Sequence, residues 1–161
     1  TMTSASRPAR APLPQLADFS HVREDRLRLT DLDFQKHVNN AAQTALLANA
    51  RFDFLGEVVR PQLPAGDKLV IASLQACFVR EMFYDPQSPQ VYTGTRIQTI
   101  GNTSMVLEQA VFQNGQCALH ATCVFVHLGA ATQAAAPWPA AVQALRPASS
   151  DIPETPESPA R

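Results

Sequence analysis

Carboxylate, imidazole and carboxamide side chains are concentrated in the segment Thr30–Asn40, which reads TDLDFQKHVNN. Aspartate and histidine are residue types that attack carbonyl carbons or transfer protons. The residues that follow are rich in Ala and Leu, so the segment ends at a predicted helix N-terminus, where unpaired N–H groups and the helix dipole favour an oxyanion. A carboxylate beside such a point can attack an acyl carbonyl or deprotonate a water molecule. The segment is therefore a candidate site for acyl transfer to water.

Simpler roles for the same residues stay open. Asp31 or Asp33 can cap a turn, and Asn39 or Asn40 can cap the helix, because these residue types favour both positions. A D-x-D pair can also bind a metal ion, but His37 alone completes no recognisable ligand set. No metal ion is therefore expected.

The flanking sequence predicts one strand, one helix and then four strands. The first strand is predicted at His21–Leu29, and the helix runs from Asn40 to about Glu57, a stretch without proline that is rich in Ala and Leu. Because apolar residues occupy most sides of this helix, we expect it to be central and buried on most sides. The later strands are predicted at Lys68–Arg80, Gln90–Ile100, Ser104–Gln113 and Gln116–Leu128.

The order of these elements predicts an α+β fold with an antiparallel sheet wrapped around the helix. Asn114–Gly115 stands between two alternating runs, which is the strongest short-range signal for a hairpin. With a tight connection at Gly101–Asn102, the last three strands are expected to form an antiparallel meander. Alternation in the second strand places one set of residues on a single face, namely Val70, Ala72, Leu74, Ala76 and Phe78.

The composition is that of a single globular domain. The chain has 161 residues, of which 45% are hydrophobic, and its formal net charge is −1, so neither a nucleic-acid nor an anionic membrane surface is indicated. Three cysteines without a CxxC motif are typical of free thiols in a reducing compartment, and the cytoplasm is expected. Residues 1–17 and 147–161 are predicted to be disordered, which leaves residues 18–146 as the folded domain.

A family resemblance sharpens this hypothesis. The segment DLDFQKHVNNA, followed by ALLANARFDFL, resembles the acyl-CoA and acyl-ACP thioesterases of the hotdog superfamily, in the 4-hydroxybenzoyl-CoA thioesterase-like branch. Their signature is D-x-D-x-x-x-H-V-N-N and then a helix with an Ala-Arg pair, which Ala50–Arg51 matches. Weaker likenesses follow in order at Phe78–Arg80, Ile100–Ser104 and Pro137–Leu145. The resemblance covers about residues 20–145 and implies a hotdog fold.

The resemblance also implies a function, the hydrolysis of an acyl-CoA or acyl-ACP thioester, as in fatty acid metabolism, without a cofactor. Asp33 would act as the nucleophile or as a general base on water, while His37 and Asn40 would bind and polarise the thioester carbonyl. The substrate-binding residues would be Asn39, Ser104 and Gln43, with Ser104 contributed by a partner subunit. A homodimer or homotetramer is implied, with the active site at the dimer interface.

Two positions depart from the family pattern. Gln43 stands where tyrosine is usual, and Asn49 stands where an acidic residue is common; both lie on the helix that should line the acyl pocket. They therefore bear on the identity of the substrate. A non-catalytic protein that binds acyl thioesters is the chief alternative. A hotdog dehydratase or hydratase ranks third, because its His and acidic motifs are not found here.

Overall fold

Five antiparallel strands form one sheet in the computed structural model, which describes residues 12–148. The long helix α1 (Asn40–Phe54) follows the first strand, and a short helix α2 (Ala140–Gln143) follows the last. The spatial order of the strands is β1-β3-β4-β5-β2. In chain order the strands are β1 (His21–Arg26), β2 (Lys68–Phe78), β3 (Gln90–Ile100), β4 (Ser104–Gln113) and β5 (Gln116–Leu128). The predicted α+β hotdog fold is confirmed.

The predicted meander of β3, β4 and β5 is also confirmed. Asn114 and Gly115 both have positive φ, 51° and 74°, as a two-residue hairpin turn of the primed type requires. β1 is shorter than predicted, because Leu29–Asp31 form a 3-10 turn instead of extending the strand. This turn brings the chain into the segment that carries the candidate site.

β2 departs from the predicted alternation at Ala72. Ile71 and Ser73 pair with two consecutive residues of β5, so Ala72 has no partner and forms a β-bulge. The bulge shifts the alternation by one residue and moves Val70 to the face opposite Leu74, Ala76 and Phe78. The prediction of a single face from Val70 to Phe78 is therefore wrong, because a period of two cannot reveal an inserted residue.

α1 packs against the sheet with one side only. Leu46, Leu47, Ala50 and Phe54 are buried, whereas Phe52 on the other side is 81% exposed. The expectation that the helix is buried on most sides is wrong for the protomer, because a single five-stranded sheet covers only one side of it. Helical structure continues beyond α1 as a π-helical turn over Leu55–Val59. The predicted end of the helix, near Glu57, is therefore close to the observed end of the helical structure.

A buried polar network fixes α1 on the sheet. Gln109 of β4 donates from Nε2 to the carbonyl oxygen of Leu47 at 3.1 Å and to Thr95 Oγ1 at 3.0 Å. Its Oε1 accepts a hydrogen bond from Arg51 at 3.0 Å. Burial lowers the pKa of Arg51, but a guanidinium stays charged in a protein. These bonds fix the rotation of α1 about its own axis and its distance from the sheet. They therefore also fix the position of its N-terminus.

The two ends of the chain are only partly described. Residues 1–11 and 149–161, which include most of both segments predicted to be disordered, lie outside the described residues. Leu16, just before the predicted domain boundary at residue 18, packs against the apolar cluster that contains Phe19 and Phe112. At the other end, Trp138 is buried and α2 overlaps the predicted helical turn at Val142–Leu145. In residues 12–148, no helix has the length and apolar character needed to cross a bilayer.

Candidate active site

Asp33 lies in a tight loop directly before α1. Its Oδ1 accepts hydrogen bonds from the backbone N–H groups of Gln35 at 2.8 Å and His37 at 3.1 Å. Its own N–H donates to the carbonyl oxygen of His37 at 2.9 Å, and Lys36 closes the loop with a φ of 64°. Between residues 12 and 148, no hydrogen bond engages Oδ2. The loop therefore fixes the carboxylate and leaves one oxygen for a reactant.

The segment after β2 clamps this loop from the other side. Val38 donates its N–H to the carbonyl oxygen of Met82 at 2.9 Å, and His37 forms a β-bridge with Phe83. The side chain of Gln113, at the end of β4, bonds Phe83 twice: Nε2 donates to its carbonyl oxygen at 2.6 Å, and Oε1 accepts its N–H at 3.1 Å. The loop is thus tied to the sheet through Phe83.

The imidazole of His37 lies against two side chains from the same segment. Its ring meets the ring of Phe83 edge-on, with centroids 5.0 Å apart. Its Nδ1 is 3.5 Å from Glu81 Oε1, which is longer than a normal hydrogen bond. Glu81 is 66% exposed at its side chain and His37 is 29% exposed. The ring is therefore oriented mainly by packing, and it stays accessible from the solvent.

The start of α1 presents unpaired backbone donors. Asn39 is the N-cap, since its Oδ1 accepts the N–H of Ala42 at 2.7 Å. The N–H groups of Asn40 and Ala41 find no acceptor among the described residues. Two unpaired donors at the positive end of a helix can bind an oxyanion. They stand directly after the loop that holds Asp33.

One cavity collects most of the predicted site residues. It has a volume of about 310 Å³, the lower end of the usual range for ligand sites. Of the predicted residues, Asp33, His37, Asn40 and Gln43 line it. The rest of its wall consists of Gln35, Val38, Phe78, Val79, Arg80, Glu81 and Met82. Sequence reasoning missed Glu81 and Met82, although the strand-end motif Phe78–Arg80 stands directly before them.

Two predicted substrate-binding residues are not part of this cavity. Asn39 uses its side chain to cap α1, the simpler role that the sequence left open. Ser104 is the first residue of β4. The cavity adjoins the end of β2 at Phe78. Phe78 pairs with Leu119 of β5, and Leu119 pairs with Val111, near the other end of β4. Ser104 is therefore roughly 20 Å from the cavity along the strand. Within one protomer, the structure does not bring Ser104 to Asp33.

Cys123, one of two buried cysteines of β5, offers no competing nucleophile. Burial raises the pKa of the Cys123 thiol, so the reactive thiolate is disfavoured. His127 is on the same strand, about 13 Å away, and its Nε2 bonds to Asp67 Oδ2 at 2.7 Å. The Asp33 cavity is therefore the better candidate for acyl transfer.

Comparison with known proteins agrees with the geometry. Residues 27–145 match the sequence profile of the thioesterase-like superfamily, and no curated protein matches the chain. Similar solved structures include the PA5185 protein of Pseudomonas aeruginosa strain PAO1, which is 22% identical with a TM-score of 0.68 over 84% of this chain and 94% of that one. A thioesterase of Thermus thermophilus, solved with coenzyme A and Zn, is 27% identical with a TM-score of 0.66, over 80% of this chain and 92% of that one. A predicted thioesterase of Bacillus stearothermophilus is 23% identical, also with a TM-score of 0.66, over 76% of this chain and 90% of that one.

Proposed function

Because the chain belongs to the thioesterase-like superfamily, we propose that it is an acyl-CoA thioesterase with Asp33 as its catalytic carboxylate. The observation that carries this proposal is the position of Asp33. Its carboxylate is held by two backbone N–H groups, directly before a helix start with unpaired donors and in the wall of a cavity. A carboxylate next to an oxyanion site is an arrangement that can carry out thioester hydrolysis.

The reaction begins with the thioester carbonyl oxygen against the N–H groups of Asn40 and Ala41. As a nucleophile, Asp33 Oδ2 attacks the carbonyl carbon, and the C–S bond breaks to release the coenzyme as a thiolate. Water then hydrolyses the resulting anhydride, which restores Asp33 and supplies the proton that the thiolate takes up. As a general base, Asp33 instead takes a proton from water while the water oxygen attacks the same carbon, and the departing thiolate receives the proton. The N–H groups stabilise the negative oxygen on both routes.

His37 and Asn40 are proposed to bind and polarise the carbonyl, because both line the cavity next to Asp33. Arg80 in the same wall provides a cation for the coenzyme. The complex of the Thermus thermophilus thioesterase with coenzyme A supports CoA as the carrier, and acyl carrier protein is the alternative. The free state of Cys77, Cys117 and Cys123 supports work in the reducing cytoplasm.

We also propose that the working enzyme is a homodimer, or a homotetramer built from dimers. β2 is an edge strand, and its apolar side chains are exposed on both faces of the sheet: Val70 is 43%, Ile71 46% and Phe78 49% exposed. An open apolar edge is a liability in a monomer and favours pairing with a second copy. A second copy would also explain how Ser104 reaches an active site, since it is remote from the cavity of its own chain.

The proposed function is tested by incubating the purified protein with a panel of acyl-CoA thioesters and measuring release of free thiol. Aliphatic chains of increasing length and aromatic acyl groups are compared, each also presented on acyl carrier protein. Release of thiol from at least one substrate, well above the uncatalysed rate, is expected. Binding of acyl-CoA without turnover of any substrate would indicate the non-catalytic binding protein instead.

A further inference from the structure

Gln43 has a buried hydrogen-bond acceptor without a partner. The residue is only 5% exposed, and its Nε2 donates to the carbonyl oxygen of Val38 at 3.0 Å. Because a carbonyl can only accept, the nitrogen must face Val38, and the orientation of the amide is fixed. The other atom, Oε1, is enclosed and has no hydrogen-bond partner among the described residues. Buried polar atoms are nearly always paired, so this acceptor requires an explanation.

Gln43 belongs to the enclosed part of the candidate cavity. It lines the cavity together with Asp33 and Asn40, and it follows Asn40 on the same face of α1 by about one helical turn. Its neighbours in the cavity wall include Val38 and Met82, which are 3% and 0% exposed. The charged nucleotide of coenzyme A must stay in solvent. When the coenzyme arm leaves the cavity on its exposed side at Arg80, the part of a substrate that reaches the buried Gln43 is the acyl group.

We propose that Gln43 Oε1 accepts a hydrogen bond from a hydroxyl group on the acyl chain, so that the preferred substrates are short hydroxyacyl thioesters. This inference rests on the proposed function. A thioester carbonyl and a hydrocarbon chain have no donor for Oε1, whereas a hydroxyl group has one. Because Gln43 Nε2 lies 3.0 Å from the Val38 carbonyl oxygen, the amide reaches back to the start of α1. Oε1 is therefore close to a thioester carbonyl bound there, which suits a hydroxyl on the second or third carbon.

Oε1 can reach such a hydroxyl by a small rotation of the amide. The terminal torsion of glutamine is broad and shallow, so the oxygen can turn while Nε2 keeps its bond to Val38. The apolar neighbours Val38 and Met82 offer no hydrogen-bonding side-chain group that would compete for the hydroxyl. A site built around such an acceptor discriminates against the analogue that lacks the donor, because the acceptor is then left unpaired.

The test compares matched thioesters that differ only in the hydroxyl: butyryl-CoA against 2-hydroxybutyryl-CoA and both enantiomers of 3-hydroxybutyryl-CoA. For the wild-type protein, kcat/KM is expected to be about 10-fold to 100-fold higher for at least one hydroxylated substrate. In Gln43→Leu the preference is expected to fall to about 1, mainly through loss on the hydroxylated substrate. Gln62→Leu, which changes an exposed glutamine far along the chain, should keep the wild-type preference.

Equal kcat/KM values for hydroxylated and plain substrates in the wild-type protein would overturn the inference, whether or not Gln43→Leu folds. An equal loss on both substrates in Gln43→Leu would also overturn it, because Oε1 would then serve the attacking water or the fold. If no thioester is hydrolysed, the proposed function fails, and the same pair is compared by calorimetric titration of the wild-type protein. Tighter binding of the hydroxylated compound then supports the role of Gln43, and equal binding refutes it.

Discussion

Asp33 and His37 hold each other through backbone atoms and one carboxylate oxygen. Asp33 Oδ1 accepts the N–H of His37 at 3.1 Å, and the N–H of Asp33 donates to the His37 carbonyl oxygen at 2.9 Å. The two residues thereby close a small ring in front of α1 in which the carboxylate of Asp33 and the backbone of His37 have fixed relative positions. Fixed geometry of this kind is what a hydrolytic site needs, since small displacements of a catalytic group are costly in rate.

The ring depends on Lys36, whose φ of 64° lies in the left-handed region that glycine adopts without steric strain. Lys36→Gly is therefore expected to keep activity and to hold or raise the free energy of unfolding. Lys36→Val places a β-branched residue at a φ where such residues are outliers, so its strain exceeds the cost of about 1–2 kcal/mol that any L-residue bears there. It should reduce kcat severalfold by distorting the Asp33 loop. Steady-state kinetics and denaturant unfolding measure both effects. Equal kinetics in the two variants would show that the loop geometry is unimportant.

Gln113 is expected to act on the site through Phe83. Gln113→Leu removes both hydrogen bonds to Phe83, so the residue whose ring packs on His37 is no longer bonded to the end of β4. We expect kcat to fall about 10-fold, at the low end for loss of catalytic positioning, with a smaller change in KM. Gln116→Leu, an exposed glutamine across the hairpin, is the matched control. An unchanged kcat in Gln113→Leu would show that Gln113 does not position the catalytic residues.

The edge strand β2 is expected to form the dimer interface. Ile71→Lys adds a charge to an apolar side chain that is 46% exposed, and charged edge strands resist pairing. We expect this variant to be monomeric by light scattering after size-exclusion chromatography, and to lose thioesterase activity if the site needs a second copy. Val22→Lys changes a similarly exposed residue on the opposite edge strand, β1, and should stay dimeric. A monomeric, fully active wild-type protein would contradict this prediction.

Asp67 and His127 join the start of β2 to the end of β5. The hydrogen bond from His127, together with the N–H of Ala130, holds the pKa of Asp67 below its usual value. A carboxylate whose pKa is lower in the folded than in the unfolded protein stabilises the fold at pH values above its unfolded pKa, which is about 4. This stabilisation is lost as the pH falls through the folded pKa. Asp67→Asn should therefore lower Tm at neutral pH, with a difference from the wild type that shrinks below about pH 4. A difference that is independent of pH would show that the charge of Asp67 does not stabilise the fold.

Much of this structure follows from local sequence signals. The Asn114–Gly115 turn, the alternation in β4 and β5 and a helix cap at Asn39 or Asn40 all act within a few residues, so the sequence alone predicts them. The Asp33 loop is also predicted as the candidate site, because its residue types and its place before a helix act locally.

Other features depend on contacts between distant residues. The bulge at Ala72 exists only relative to β5, and the clamp of Gln113 on Phe83 joins residues 30 positions apart. The exposed side of α1 depends on how much of the helix five strands can cover. The unpaired oxygen of Gln43 becomes visible only once its nitrogen is seen to face Val38. No local pattern records any of these relationships.

The most direct test of the account is the turnover of a competent acyl-CoA by Asp33→Asn. Asparagine can still accept the N–H groups of Gln35 and His37, so the loop is retained while the nucleophile or base is removed. Asp33→Ala, which also removes those bonds, reports the effect of the loop itself. We predict that kcat of Asp33→Asn falls by about 10²–10⁴-fold while acyl-CoA binding changes little. Turnover by Asp33→Asn at close to the wild-type rate would contradict the account.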